Sequence, residues 1–222
     1  MTFHTGAHRE QSADRRPSQG RRESSGRHPS STAADKFQQR IDAPCGSAGH
    51  IGIIYRVSRP LQDFRADRAR YPSNAWVTHR ALWALAAYRF AQASTQPGWR
   101  FVRPLSGLIT LAARTCTNIE IPTVARIGPG LRFGHAGPIV IHENATIGRD
   151  CNMSVGVVLG SHRNGAPSVG DRVRFGAYAV ALGGVTIGDD AVVGAMSLVL
   201  NNVPEGAVVA GIPARIIRSR LP

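Results

Sequence analysis

Residues 169–199 read VGDRVRFGAYAVALGGVTIGDDAVVGAMSLV, and stepping through them by six meets Val169, Phe175, Ala181, Ile187, Val193 and Val199. A second row, four residues after each of the first five, holds Val173, Ala179, Val185, Ala191 and Ser197. One row is aliphatic or aromatic and the other is small. Glycine often follows the first row, at Gly170, Gly176, Gly188 and Gly194, as suits a tight corner where a Cβ would be strained. A period of six is neither 3.6 nor 2, so neither an amphipathic helix nor a hairpin sheet explains it. Three short strands per turn do: each six-residue unit forms one side of a triangular coil, and stacked coils make three parallel sheets.

Upstream the same step recurs at Ile141, Ile147, Met153 and Leu159, and again at Ile127 and Phe133. Two breaks in phase interrupt it. Phe133 to Ile141 is a step of eight, leaving two extra residues at Gly134-His135, and Leu159 to Val169 is a step of ten, so Ser161 to Ser168 must protrude. Loops extruded from a rigid solenoid are where site residues concentrate, and both breaks carry a histidine.

Before the repeats, from about Asp63 to Thr117, the pattern is helical. The run Ala75 to Ala93 spaces Trp76, Leu82, Trp83, Leu85, Ala86, Tyr88, Arg89 and Phe90 by threes and fours, which predicts one helix. A second apolar stretch, Trp99 to Ala113, is broken near its start by Pro104. Core packing between helices is the plainer expectation for these stripes; an arginine-flanked surface held against a membrane is the sharper one. Residues 1–50 are rich in Ser, Gly, Arg, Gln and His and predict a disordered tail. The division expected is therefore a tail over 1–50, an α-helical region over 51–117, the solenoid over 118–217 and a short tail over 218–222.

The 222 residues are enough for a sizeable core, so size admits an enzyme. Three cysteines without CxxC spacing (Cys45, Cys116, Cys151) indicate neither a disulfide framework nor a thiolate zinc site, and fit a reducing cytoplasm. The opening residues lack a signal-peptide core, and no stretch has the roughly 20 apolar residues a membrane span needs. The net charge of +13 sits mainly in the middle, with +8 over residues 51–126. Such a surface can attract anions, but there is no nucleic-acid-binding motif or aromatic platform beside it.

The stretch IEIPTVARIGPGLRFGHAGPIVIHENATIG, then GVVLG, then VTIGDDAVVGAMSLVLNNVPEGAVVAGIPARII, resembles the serine acetyltransferase family of hexapeptide-repeat acyltransferases. The likeness covers roughly residues 60–217 and is greatest to the branch found among polysaccharide biosynthesis genes. It implies a mainly β fold, a left-handed parallel β-helix preceded by a small α-helical region, assembled as a homotrimer or dimer of trimers. It also implies transfer of acetyl from acetyl-CoA to a hydroxyl, without a metal. His135 falls on the family's catalytic histidine and Glu120, fifteen residues earlier, on its orienting acid. Since fifteen is close to one coil of about eighteen, the two are expected as neighbours on successive coils. An imidazole of pKa about 6.5 can take a hydroxyl proton, and a carboxylate on its other nitrogen fixes the tautomer. By the same resemblance Gly176, Ala177, Gly194 and Ala195 would let a pantetheine arm approach the backbone, and Arg215 would meet a CoA phosphate.

Three positions depart from the family pattern. The aspartate before the catalytic histidine is Gly134, an Arg-His pair in the long loop is Gly165-Ala166, and an aspartate before proline is Tyr71. Losing charged partners disfavours a zwitterionic acceptor and favours a sugar hydroxyl, with serine as the alternative and a catalytically silent scaffold as a second. His162, Glu143 and Tyr71 are the candidate acceptor-side residues. A zinc-dependent carbonic anhydrase of similar fold would need three imidazoles, and His135, His142 and His162 lack its spacing.

Overall fold

The computed structural model describes residues 59–162 and 164–219; the tail expected over residues 1–50 lies outside them. Among the described residues four α-helices come first: α1 (Pro60–Ala69), α2 (Ala75–Thr78), α3 (Ala81–Ser94) and α4 (Arg103–Thr117), the last two joined by a 3-10 turn at Pro97–Val102. Short strands follow and sort into three sheets. One holds β1 (Ile119–Glu120), β4 (Ile139–Ile141), β7 (Val158–Gly160), β10 (Val180–Leu182) and β13 (Leu198–Val199). The second holds β2 (Arg126–Ile127), β5 (Thr146–Ile147), β8 (Ser168–Val169) and β11 (Thr186–Ile187). The third holds β3 (Arg132–Phe133), β6 (Asn152–Met153), β9 (Arg174–Phe175), β12 (Val192–Val193), β14 (Val208–Gly211) and β15 (Ala214–Arg218).

From β1 to β10 each strand pairs in parallel with the one three places later, which makes the expected β-helix. At the last coil β14 pairs in parallel with β12, two places earlier, and β15 folds back antiparallel on β14. Both rows read from the sequence point inward: Val169, Ala181, Ile187 and Val193 of the first, and Val173, Ala179 and Ala191 of the second, are fully buried. A buried aliphatic side chain of this size contributes roughly 1.5–3 kcal/mol, so the repeat builds a continuous core. Coil length varies around the expected eighteen. Val140 pairs with Val158 and Val180 with Leu198, eighteen positions apart, but Glu120 pairs with Val140 at twenty and Val158 with Val180 at twenty-two. The two longer coils absorb the insertions at Gly134-His135 and Ser161 to Ser168.

The corner glycines serve a purpose other than the one expected. The left-handed residue of each corner lies two further on, and is Arg172, Tyr178, Asp190 or Met196 with φ of 56–57°. Gly170, Gly176 and Gly188 are required instead by the next coil: a Cβ on Gly176 would run into the backbone nitrogen of Ala195. Gly128 is the same, its absent Cβ lying 2.8 Å from the carbonyl carbon of Gly148. Coils a strand spacing apart leave no room for a side chain there.

The helices cap the open end of the solenoid. A first coil presents backbone groups with no preceding strand to bond them, an edge that must be paired or covered. Here side chains do it. Tyr88 donates to the carbonyl of Ala125 at 2.7 Å, Arg89 to those of Ile127 and Gly128 at 2.9 and 2.6 Å, and Arg70 to that of Gly130. Asp67 accepts from the amide of Leu131 at 2.9 Å, and Tyr71 bonds Phe133 through both its amide and its carbonyl. Arg89 and Asp67, 1% and 0% exposed, also pair with each other at 2.8 Å.

Two helical expectations change. Ala75 to Ala93 is not one helix: it breaks at His79-Arg80, where Thr78 turns its hydroxyl onto Asn74 and the Trp83 indole caps the carbonyl of Trp76 at 2.9 Å. Pro104 opens α4 instead of breaking it, as its fixed φ allows at a helix start. The stripe from Trp99 to Leu111 is not core. Within α4 the buried residues are Ser106 and Thr117, while Leu105, Leu108 and Leu111 are 53–65% exposed. The helix packs by its small polar side, with Ser94 and Ser106 hydroxyls 3.0 Å apart, and turns its apolar side outward.

Candidate active site

One edge of the triangular prism gathers most of the expected site residues. Phe133, Met153, Phe175, Val193 and Val209 lie in register across the third sheet. The residues after them therefore stack: Gly134, Ser154, Gly176, Gly194 and Ala210 in one row, and His135, Val155, Ala177 and Ala195 in the next. A Cβ on Gly194 would lie 3.0 Å from that of Ala210, so these corners touch. At about 4.8 Å per coil, Ala177 and Ala195 are about 10 and 14 Å along the edge from His135. Arg215 pairs with Ala210 across the β14–β15 ladder, at the far end of the same edge, and is exposed.

His135 itself is exposed, and among the described residues its ring makes no hydrogen bond or ion pair. Its corner is nevertheless fixed. Gly134 donates to the carbonyl of Met153 at 2.9 Å, Gly137 to that of Thr117 at 3.0 Å and Ile139 to that of Asn118 at 3.1 Å, the last two tying the corner to the end of α4.

Glu120 lies on β1, beside a cleft of about 280 Å³ whose lining includes Tyr88, Thr110, Arg114 and Pro122. Its carboxylate receives Arg114 at 3.0 Å, both side chains being about half exposed. Because the first coil is twenty residues long, the strand partner of Glu120 is Val140, five residues beyond His135. The imidazole, fifteen residues after the acid, thus falls within the same twenty-residue coil, in the turn between β3 and β4, and the observed partner of the acid is Arg114.

The candidate acceptor-side residues divide. Glu143 and His162 occupy the neighbouring edge, between the first and second sheets, where Glu143 is exposed and the loop after β7 closes as a tight turn. His162 and Gly165 exchange backbone hydrogen bonds of 2.9 and 2.7 Å, and the His162 Nε2 is buried with no partner among the described residues. Tyr71 is 6% exposed with its hydroxyl committed to Phe133, and burial pushes its phenol up to about 12.

The capping set Asp67, Tyr88 and Arg89 escaped the sequence reading. Its one visible sign was an arginine within the apolar run Leu82 to Phe90. For Asp67, burial pushes the carboxyl up while the Arg89 guanidinium pulls it back.

A family model described as bacterial transferase hexapeptide (six repeats) matches residues 166–201. The serine acetyltransferase of Helicobacter pylori is 35% identical over 172 residues, covering 75% of this chain and 97% of that one. Soybean serine acetyltransferase, solved as apoenzyme, superposes with a TM-score of 0.60 at 34% identity, over 71% of this chain and 67% of that one. A serine acetyltransferase solved with CoA gives 0.61 at 32% identity, over 71% and 68%. The chain belongs to the serine acetyltransferase family. It is accordingly an acyltransferase.

The three positions at which the sequence departs from the family pattern differ in the room they offer. Gly165 adopts φ of +107°, where a side chain would be strained, and Ala166 packs against the core. Tyr71 faces inward. Gly134 has space without that strain, a Cβ there meeting nothing nearer than the Met153 carbonyl oxygen at 3.8 Å.

Proposed function

We propose that this protein is an acetyl-CoA-dependent O-acetyltransferase with His135 as general base. The hydroxyl of the acceptor gives its proton to the imidazole as its oxygen attacks the thioester carbonyl; the tetrahedral intermediate expels CoA thiolate, which takes that proton back. Products are the acetyl ester and free CoA. Glu120 is the residue assigned to orient the ring, and Gly176, Ala177, Gly194, Ala195 and Arg215 to bind the coenzyme. The single observation that supports this reading most is the stacking of those small corners in line with His135 on one edge. A relative of matching fold is solved with CoA.

For the acceptor, the relatives favour serine over the sugar hydroxyl expected from the sequence: they are serine acetyltransferases, and one is solved with serine. A sugar hydroxyl stands as a second reading on one observation, that Gly134, Gly165-Ala166 and Tyr71 offer no charge to an ammonium or carboxylate. An assembly as a homotrimer or dimer of trimers would bury the outward apolar face of α4; arginine-flanked contact with a membrane surface is its rival. Among the described residues no helix is long and apolar enough to cross a membrane.

The experiment is CoA release from acetyl-CoA with L-serine, nucleotide sugars and oligosaccharides offered in turn. Turnover with serine supports the first reading, and turnover with a sugar alone the second; no turnover with any hydroxyl compound removes both. If serine is the acceptor, Gly134→Asp lowers its KM, since the position has room for the side chain.

A further inference from the structure

Among the described residues no hydrogen bond or ion pair reaches the His135 imidazole, so where Glu120 would meet it depends first on the backbone that carries it. Two kinds of tie on that backbone are ordinary: Gly134 bonds the next coil, and Gly137 and Ile139 bond the end of α4. The third is different in kind. Tyr71, in the turn between α1 and α2, sends its hydroxyl to Phe133, two residues before His135. There it accepts from the Phe133 amide at 2.7 Å and donates to the Phe133 carbonyl at 3.2 Å. One oxygen does what a preceding strand would do, satisfying both backbone groups at the outer edge of the sheet.

We propose that Tyr71 is a positioning residue for the reaction, holding the strand end that carries the His135 corner. This rests on His135 being the general base, and it gives the helical cap a part in catalysis beyond covering the solenoid. Two further observations favour it. Arg132, next to Phe133, lies over the Tyr71 ring with its guanidinium carbon 5.8 Å from the centroid, and His79 meets the same ring edge-on at 5.8 Å, so the ring is itself held. Also, the other phenol of the cap, Tyr88, bonds Ala125, eight residues from Phe133 on another side of the prism, and so supplies a control of the same chemistry.

The test compares Tyr71→Phe with Tyr88→Phe. Each removes a buried hydroxyl and keeps the ring, so both are expected to lower Tm. Misplacing a catalytic group by about 1 Å can cost about 100-fold, so kcat is expected to fall by about 10-fold or more in Tyr71→Phe, with the KM for acetyl-CoA within about twofold. Tyr88→Phe keeps kcat within about twofold. Hydrogen exchange of the Gly134, Gly137 and Ile139 amides quickens in Tyr71→Phe and not in Tyr88→Phe. Wild-type kcat in Tyr71→Phe, or equal kcat losses in the two variants, overturns the proposal. So does unchanged exchange at the corner, which reads the tie directly even if His135 proves not to be the base. Failure of that base assignment is read separately, as full activity in His135→Ala.

Discussion

The solenoid and the helical cap bury their residues in opposite senses. In the solenoid the two rows of the six-residue repeat point inward and are covered by the coils above and below, whereas α4 packs through Ser106 and Thr117 and shows Leu105, Leu108 and Leu111 to the outside. A repeated element supplies its own partner, so its periodicity states its burial. A helix has no such guarantee: periodicity marks which side is apolar, and a neighbour decides whether that side is covered. In the cap the neighbour is the open end of the first coil, which asks for hydrogen-bond donors and acceptors more than for aliphatic surface.

That contrast can be broken most sharply at the buried ion pair. Arg89→Met leaves Asp67 buried without its partner, and the carbonyls of Ile127 and Gly128 without donors. A loss of about 3–5 kcal/mol in urea unfolding is expected. A loss below about 1 kcal/mol would mean that water replaces the guanidinium and that the cap is held by other contacts.

The next comparison sets Leu131, fully buried in the first coil, against Leu108, 65% exposed on α4. Leu131→Ala is expected to cost about 2–5 kcal/mol, and Leu108→Ala well under about 1 kcal/mol, in the isolated protomer. A large cost for Leu108→Ala that depends on protein concentration would show that the outward face is buried in an assembly.

The smallest effect is expected on the surface ladder in which Asp171 accepts from the Arg149 backbone and guanidinium, each at 2.9 Å, beside Arg172. Partial burial pushes the Asp171 carboxyl up, but the bonds from Arg149 outweigh it and leave the group below its usual range. A carboxyl depressed in the folded state stabilises above its unfolded pKa of about 3.9, and that contribution is lost as pH falls through the lower folded value. Tm of the wild type and of Asp171→Asn should differ slightly at pH 6 and converge towards pH 3. Equal Tm values at pH 6 would mean that the ladder adds nothing measurable.

The same contrast explains what was legible beforehand. Ladder residues such as Val169, Phe175 and Ile187 declared the solenoid because a six-residue phase sustained over many units has no other economical structure. His135 and the loop near His162 stood out because an insertion in a strict repeat has to go somewhere. Asp67 and Tyr71 gave no such sign, since their partners are backbone groups 62–64 positions away and backbone groups leave no trace in a sequence. The glycine corners were noticed for the wrong cause: the strain lies in the approach of the next coil, which only the stacked structure reveals. The insertion at Gly134-His135 lengthens the first coil to twenty residues, so Glu120 stands in register with Val140 and His135 falls in the turn before it.

The central claim is that an edge of stacked small corners carries one imidazole able to deprotonate a hydroxyl. Steady-state acetyl transfer by His135→Ala, with the acceptor the wild type uses, tests it most directly. The account predicts that kcat falls by about 100-fold or more while Tm stays at the wild-type value, since the side chain is exposed and without hydrogen bonds among the described residues. Turnover within about twofold of wild type would contradict it.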